Sequence, residues 1–252
     1  MATMCVAEYR SANAGTAMPG RPPGPDFYAG TAVEVARRLI GCHLYRVFPD
    51  GAVATGMIVE TEAYRQDDPA SHSFSGLSNR NAVMFGRPGA AYVYLIYGVH
   101  SCLNVVCEPE GSGAAVLVRA VHPVDGLGRL WINRFGSIDA PEDLTTMQPD
   151  GPPGTSTRRM VSTEIRNLTS GPGKVCQAFA LSHAVHDGMW LGGPPENDSL
   201  VLVVSNSTHA GERRGRIIAS SRVGIRRAVD RPWRFSLEDD PFVSKPTPEE
   251  IP

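Results

Sequence analysis

The chain has 252 residues and a formal net charge of −2, with 42% hydrophobic and 20% charged residues, which is ordinary for one globular domain with a sizeable core. No apolar run approaches the ~18 residues that a membrane span needs, and the first thirty residues lack the apolar segment of a signal peptide. These features exclude membrane-spanning and secreted classes, so we expect a cytoplasmic protein, nucleoid-associated if the source is a bacterium.

The first predicted elements follow a segment rich in Gly, Pro and Ala. Residues 1–25 are typical of a flexible tail. Thr31 is placed to cap a helix that ends near Ile40, with Gly41 closing it. Residues 42–48 and 52–60 flank a Pro-Asp-Gly turn and therefore predict a β-hairpin.

The middle of the chain is β-rich. Strands are predicted at 91–97, 102–107 and 114–121, followed by a helix over 125–135. Residues 136–163 are full of Pro, Gly, Asp, Ser and Thr without periodicity, which predicts a mobile surface insertion.

The last third predicts one helix, from Ser170 to Ser182, and then short strands. The strands are expected at 200–205, 216–220 and 233–237, and residues 239–252 read as a C-terminal tail. The fold class is therefore α+β: a single mixed domain over 26–238, with an antiparallel-rich curved sheet, surrounding helices and a protruding β-hairpin.

Five cysteines are present, in odd number and without a C-x-x-C pair or zinc spacing with histidine: Cys5, Cys42, Cys102, Cys107 and Cys176. We interpret them as small apolar residues in a reduced setting. Gly171-Pro172-Gly173-Lys174 matches neither a P-loop nor a dinucleotide fingerprint. The sequence therefore predicts no metal and no cofactor.

Two carboxylates lie close together at the end of an apolar strand. Strand alternation puts Glu60 and Glu62 on one face. Carboxylates in that setting are costly unless they are exposed, paired or functional, and a base that activates water is one such function. The alternative is an edge strand with a solvated acidic face.

The strand at 91–97 carries three tyrosines. Gly98 can adopt the positive φ of a tight turn, which leaves Tyr97 at a hairpin tip. An aromatic ring there is suited to wedge between base pairs, and Tyr94 on the opposite face could stack on a flipped base. The alternative is an aromatic-rich core strand.

Polar residues interrupt the next two apolar strands. A buried Arg119 needs an anionic partner, and Glu62 is the natural one if the strands are neighbours. Asn104 interrupts the other strand. It could be a structural amide with its hydrogen bonds satisfied, or it could have a role in a binding site. His72 lies in a loop, where a lone histidine is usually a polar side chain on the surface.

Positive charge is concentrated in residues 212–234, which hold eight arginines against two acidic residues. A protein that binds phosphates needs a basic face rather than a basic total. From this segment and from the helix start at 171–174 we predict contacts of Lys174, Arg222 and Arg226 with a DNA backbone. A solvated arginine-rich surface is the alternative.

Together these segments resemble the alkyladenine (3-methyladenine or methylpurine) DNA glycosylase family. The resemblance rests on an ordered series over about residues 26–245, excluding the insertion. Its motifs are ARRLIG at 36–41, IVETEAY at 58–64, ASHS at 70–73, NRN at 79–81, MFGRPG at 84–89, YVYLIYG at 92–98, CLNVV at 102–106, LVRA at 117–120, GPGK at 171–174 and RVGI at 222–225.

The resemblance implies a role for each matching position. Glu62 would be the general base, and Arg119 and the backbone carbonyl of Val223 would hold the attacking water. The base-binding and intercalating positions are Tyr64, His72 and Tyr94 as walls around the flipped purine, Asn104 as the group that excludes the 2-amino group of guanine, and Tyr97 as the wedge.

The implied protein is a base-excision-repair enzyme acting on double-stranded DNA with damaged purines. It would release 3-methyladenine, 7-methylguanine, ethenoadenine or hypoxanthine, with the preference among them open. No lysine nucleophile lies in the motif, so a monofunctional enzyme without lyase activity is expected, and a monomer is the default. Two alternatives are a lesion-binding protein without catalysis and an unrelated small-molecule hydrolase that uses Glu60 and Glu62.

Overall fold

The computed structural model describes residues 17–137, 144, 162–205 and 215–245. They form a mixed α+β domain built on one large sheet, as predicted, and every strand pairing is antiparallel. The strands are β1 (Gly20–Arg21), β2 (His43–Val47), β3 (Val53–Tyr64), β4 (Ala91–Ile96), β5 (His100–Cys107), β6 (Ala114–Asp125), β7 (Leu200–Ser205), β8 (Ile217–Ser220) and β9 (Arg234–Leu237).

The long strand β3 organises the sheet, whose order is β1-β7-β2-β3-β6-β5-β4. Its first half pairs with β2, and its second half pairs with β9, which also pairs with β8. Strand β6 follows β3 along its other edge. Glu62 therefore lies between two neighbouring strands, which is the opposite of the solvated edge considered for the sequence.

Short helices cover the sheet: α1 (Ala32–Leu39), α2 (Leu127–Phe135), α3 (Thr163–Arg166), α4 (Pro172–Ala178) and α5 (His183–His186). Thr31 caps α1 as predicted, because its side chain accepts from the Glu34 amide while the Glu34 carboxylate accepts from the Thr31 amide. The predicted helix over 170–182 is shorter in the structure: α4 ends at Ala178, a turn follows at Ala180, whose φ is 50°, and α5 begins beyond the predicted range.

The two faces of the sheet have different composition. Helices α1 and α4 pack on a face of aliphatic side chains, which includes Val59, Ala63, Val93, Leu103, Val105, Val116 and Val118. The opposite face carries a smaller apolar cluster around Tyr92 and Met84, beside the polar residues of β3 and β6. One face thus forms the core and leaves the other available for a site.

Several predicted boundaries differ from the structure. Of the predicted insertion, residues 138–143 and 145–161 lie outside the described residues, as do residues 1–16 of the predicted N-terminal tail. Gly20 and Arg21 pair with β7. Residues 239–245 were predicted as part of a tail. Phe242 in this segment is fully buried in the main core, so the segment packs against the domain.

Candidate active site

Glu62 is completely buried on β3, and both of its carboxylate oxygens have partners. The backbone N–H of Val223 donates to Oε1 over 2.7 Å, and the Tyr64 hydroxyl donates to Oε2 over 2.8 Å. The Arg119 guanidinium lies 3.5 Å from Oε1. The structure thus brings Val223 to Glu62 through its amide, whereas the sequence analysis assigned a role to its carbonyl.

Arg119 reaches this carboxylate from an irregular point in the sheet. The pairing of β3 with β6 steps from Ile58↔Val121 to Glu60↔Ala120 and then to Thr61↔Val118, which leaves Arg119 without a backbone pair. Such bulges redirect side chains. The Arg119 Nε lies 3.3 Å from a Glu60 oxygen and 3.3 Å from the Ser244 hydroxyl, so the guanidinium bridges both carboxylates.

Glu60 is also fully buried and more heavily neutralised than Glu62. Its Oε1 accepts from Arg234 Nε over 2.6 Å, and its Oε2 accepts from the backbone N–H of Ser244 over 2.7 Å. The prediction that Glu60 and Glu62 share a face is confirmed by their common contact with Arg119.

Tyr64 closes one side of the Glu62 site. Burial, followed by the charge of Glu62 and the hydrogen bond to it, raises the pKa of the Tyr64 hydroxyl well above its ordinary value. The hydroxyl therefore stays protonated and donates to the carboxylate. The Arg222 guanidinium lies over the Tyr64 ring, 4.6 Å from its centroid.

An aromatic wall stands on the same face of the sheet. The His72 and Tyr94 rings are 4.5 Å apart in an edge-to-face arrangement, and Tyr92 lies 5.4 Å from Tyr94. The His72 Nδ1 is 3.1 Å from the Tyr92 hydroxyl. Partial burial, with the nearby Arg80 charge, lowers the pKa of His72, so its imidazole is neutral at pH 7. Tyr92 received no role from the sequence, although it orients His72.

Strand register connects this wall to the carboxylate. Glu62 is paired with Leu117, Leu117 with Asn104, and Asn104 with Tyr92, so the four side chains form one row across β3, β6, β5 and β4. Asn104 is buried, and its amide nitrogen donates to the carbonyls of Tyr92 (3.1 Å) and Cys102 (3.4 Å). Its N–H groups therefore have a structural role, one of the two interpretations left open.

Tyr97 lies apart from this cluster, at the tip of the β4–β5 hairpin. Its side chain is 89% exposed, and the flanking Leu95 and Val99 are exposed as well. Tyr97 and Gly98 have φ of 52° and 72°, and the Val99 amide donates to Ile96 over the turn. These are the angles of the primed turn that suits a hairpin, so Tyr97 is held at a rigid tip.

The three predicted backbone-contacting residues differ in environment. Arg226 is exposed. Lys174 is partly buried and donates to the Asn167 side chain over 2.7 Å, and burial followed by neighbouring cations lowers its pKa. Arg222 contradicts the prediction of a phosphate contact, because its side chain is fully buried and pairs with the equally buried Asp68. The composition of residues 212–234 gives no sign of this ion pair, because Asp68 precedes Arg222 by 154 residues.

Within the described ranges no group of three or more His, Cys, Asp or Glu side chains is arranged to hold a metal ion. In the same part of the chain no helix is both long and apolar enough to cross a membrane. This face of the sheet presents a buried, hydrogen-bonded carboxylate next to an arginine and a set of aromatic rings.

Known proteins resemble this chain over most of its length. The model of the Methylpurine-DNA glycosylase family matches residues 26–241. A protein of Rhodopseudomonas palustris is 42% identical over 222 residues, covering 88% of this chain and 87% of its own length. A Bacillus cereus protein is 38% identical over 227 residues, covering 88% of this chain and 98% of its own. Both relatives are provisionally named 3-methyladenine DNA glycosylases.

Proposed function

This chain belongs to the methylpurine-DNA glycosylase family, and we propose that it releases alkylated or deaminated purines from duplex DNA through a water activated by Glu62. The observation that carries the proposal is the buried Glu62 carboxylate, fixed by the Val223 amide, the Tyr64 hydroxyl and Arg119. It shares its sheet face with the His72–Tyr94 wall, where a flat ring could be held.

The proposed chemistry uses the remaining lone pairs of Glu62. The carboxylate accepts a proton from water as that water attacks the sugar carbon, and its charge stabilises the developing oxocarbenium ion. Arg119 and the Val223 carbonyl help to hold the water. An alkylated purine leaves readily because positive charge on its ring weakens the glycosidic bond. Neutral lesions such as ethenoadenine and hypoxanthine also require protonation of the leaving base.

The rest of the proposal concerns access to the base. Tyr97 is exposed on a rigid tip and would fill the gap left by a flipped nucleotide. Tyr64, His72 and Tyr94 would stack around the flipped purine, and Asn104 would oppose the 2-amino group of guanine. The motif contains no lysine nucleophile, so hydrolysis would leave an intact abasic site.

The test uses duplexes with one ethenoadenine or one hypoxanthine, and DNA rich in 7-methylguanine. We expect release of free base and abasic sites that break only after alkali treatment. Glu62→Gln keeps the size of the side chain but removes its basicity, so the single-turnover rate should fall by about 100-fold or more. Glu196→Gln, at an exposed position, is the matched control.

Other outcomes would change the assignment. Binding to lesion duplexes without release of any base would support a lesion-binding protein. Strand breaks without alkali would contradict the monofunctional reaction. A Glu62→Gln variant as active as wild type would show that another group is the base.

A further inference from the structure

We propose that the buried Asp68–Arg222 ion pair is a positioning element that fixes the Glu62 site and the His72 loop relative to each other. Both side chains are fully buried. Arg222 donates to both carboxylate oxygens of Asp68 through its two terminal nitrogens, with Nη2 at 3.0 Å from Oδ1. The inference rests on the proposed function, since it assigns this pair to the same reaction.

Arg222 directly contacts the strand that carries Glu62. Its Nη1 donates over 2.9 Å to the carbonyl of Ala63, the residue between Glu62 and Tyr64. Its guanidinium stacks between the rings of Tyr64 and Trp233, at 4.6 and 5.3 Å from their centroids. A displaced guanidinium would therefore free the Tyr64 ring, whose hydroxyl donates to Glu62.

The residue after Arg222 supplies the amide that holds Glu62. The Val223 N–H donates to Oε1, so the position of this donor depends on where the Arg222 side chain anchors its backbone. Gly224, next in the chain, has a φ of 79° and nothing near its Cβ position. The residue that follows Val223 therefore contributes no side-chain packing that could hold this amide in place.

Asp68 orders the other side of the site. Its carboxylate accepts from the Ala70 amide over 3.1 Å, and its carbonyl accepts from the Ser71 amide over 2.8 Å. This turn leads directly into His72, which packs against Tyr94. One ion pair thus connects the loop of the aromatic wall to the group that holds the carboxylate.

Buried ion pairs contribute little net stability compared with apolar residues of the same size, because desolvation offsets their attraction. Geometry is what such a pair provides here, since a planar guanidinium fixes two oxygens and two rings at once. A misplacement of about 1 Å in a catalytic group can cost roughly 100-fold in rate.

The experiment compares Asp68→Asn and Arg222→Lys with Asp198→Asn, which breaks an ion pair away from the site, between the buried Arg46 of β2 and the partly exposed Asp198 in the turn before β7. In the first two variants we expect the single-turnover excision rate to fall by roughly 30-fold or more. Their affinity for a duplex with an abasic site should change by less than about threefold, because it depends on the hairpin and the basic surface. The Asp198→Asn variant should keep the wild-type excision rate even if its melting temperature falls by as much as in the other two variants.

A second measurement does not require activity. Hydrogen exchange of the Val223 amide should accelerate in Asp68→Asn and Arg222→Lys but not in Asp198→Asn, while exchange in β5 and β6 stays as in wild type. Equal loss of rate in all three variants, or unchanged Val223 exchange, would overturn the inference. An inactive wild type would instead contradict the proposed function, and the exchange result would still decide the role of the ion pair.

Discussion

At the scale of single residues, the two carboxylates of β3 differ in how far their charge is neutralised. Glu60 has Arg234 at 2.6 Å and Arg119 at 3.3 Å, and it also accepts from the Ser244 amide. Glu62 has a single guanidinium at 3.5 Å and otherwise accepts from an amide and a hydroxyl. Glu62 is therefore the less strongly ion-paired of the two carboxylates.

The Tyr64 hydroxyl gives the first prediction. Tyr64→Phe keeps the ring on Arg222 but removes the donor to Glu62 Oε2, so we expect the single-turnover excision rate to fall by about tenfold to 100-fold, the range for a hydrogen bond to a charged group. Tyr28→Phe is the matched control, because the buried Tyr28 hydroxyl has no hydrogen-bond partner among the residues that the structure describes. An unchanged rate in Tyr64→Phe would show that this donor is dispensable.

A second prediction concerns pH and His186. Its imidazole is buried, and burial followed by the Arg46 charge lowers its pKa. Below about pH 6.5 the unfolded chain binds a proton that the folded state resists. The free energy of unfolding therefore falls as pH falls below this value, and above it the contribution of neutral His186 to stability is complete. Urea unfolding at pH 7.5 and 5 checks this.

The control for this titration is His186→Gln, in which the loss between the two pH values should be smaller. His72, with a pKa also lowered, contributes with the same sign and should retain part of the effect. A His186→Gln variant with the pH dependence of wild type would exclude His186 as a source of the loss.

At the scale of elements, alternation and turn chemistry predicted most of the sheet, while partners distant in sequence were not predictable. The hairpin with Tyr97 at its tip and the shared face of Glu60 and Glu62 both follow from local periodicity. The burial of Arg222 depends on Asp68, and local composition gives no sign of that pairing. The contact of Ser244 with Glu60 joins residues 184 positions apart and likewise has no local sign in the sequence.

The turn at the hairpin tip allows the wedge to be tested without harm to the fold. Tyr97 has a φ of 52°, which costs a bulky residue energy but suits asparagine, and Asn-Gly is the preferred pair in this turn. Tyr97→Asn should therefore leave the melting temperature unchanged or higher, while affinity for a lesion duplex weakens by about tenfold or more through lost stacking.

The affinity is measured by titration of labelled duplexes with and without the lesion. A Tyr97→Phe control, which keeps a ring at the tip, should retain most of the affinity. Equal affinities of Tyr97→Asn and wild type would contradict the wedge role.

The C-terminal segment is a second element whose contribution can be measured. Phe242 is fully buried, and residue 244 contacts both Glu60 and Arg119. Phe242→Ala should lower the free energy of unfolding by about 3–5 kcal/mol, as for other buried phenylalanines. Phe74→Ala, at a position that is 47% exposed, should cost far less. Similar small losses in both variants by denaturant unfolding would show that the segment is not part of the cooperative fold.

At the scale of the whole molecule, the arginine count overstates the basic surface. Of the eight arginines in residues 212–234, Arg222 and Arg234 are buried in ion pairs, and Arg213 and Arg214 lie outside the described residues. Arg226 and Arg227 are exposed on the loop that follows Val223. A chain with a net charge of −2 can thus still present a basic loop beside its site.

This arrangement predicts a specific dependence of DNA binding on salt. The logarithm of the affinity for undamaged duplex should fall linearly with the logarithm of the salt concentration. The steepness of this line should decrease by about 0.9 for each phosphate contact that is removed. Arg226→Gln should therefore lower the slope by roughly that amount. Arg21→Gln, exposed on β1 at the far edge of the sheet, should leave it unchanged. Equal slopes for Arg226→Gln and wild type would place the phosphate contacts elsewhere, and a flat salt dependence of wild type would contradict binding of the DNA backbone.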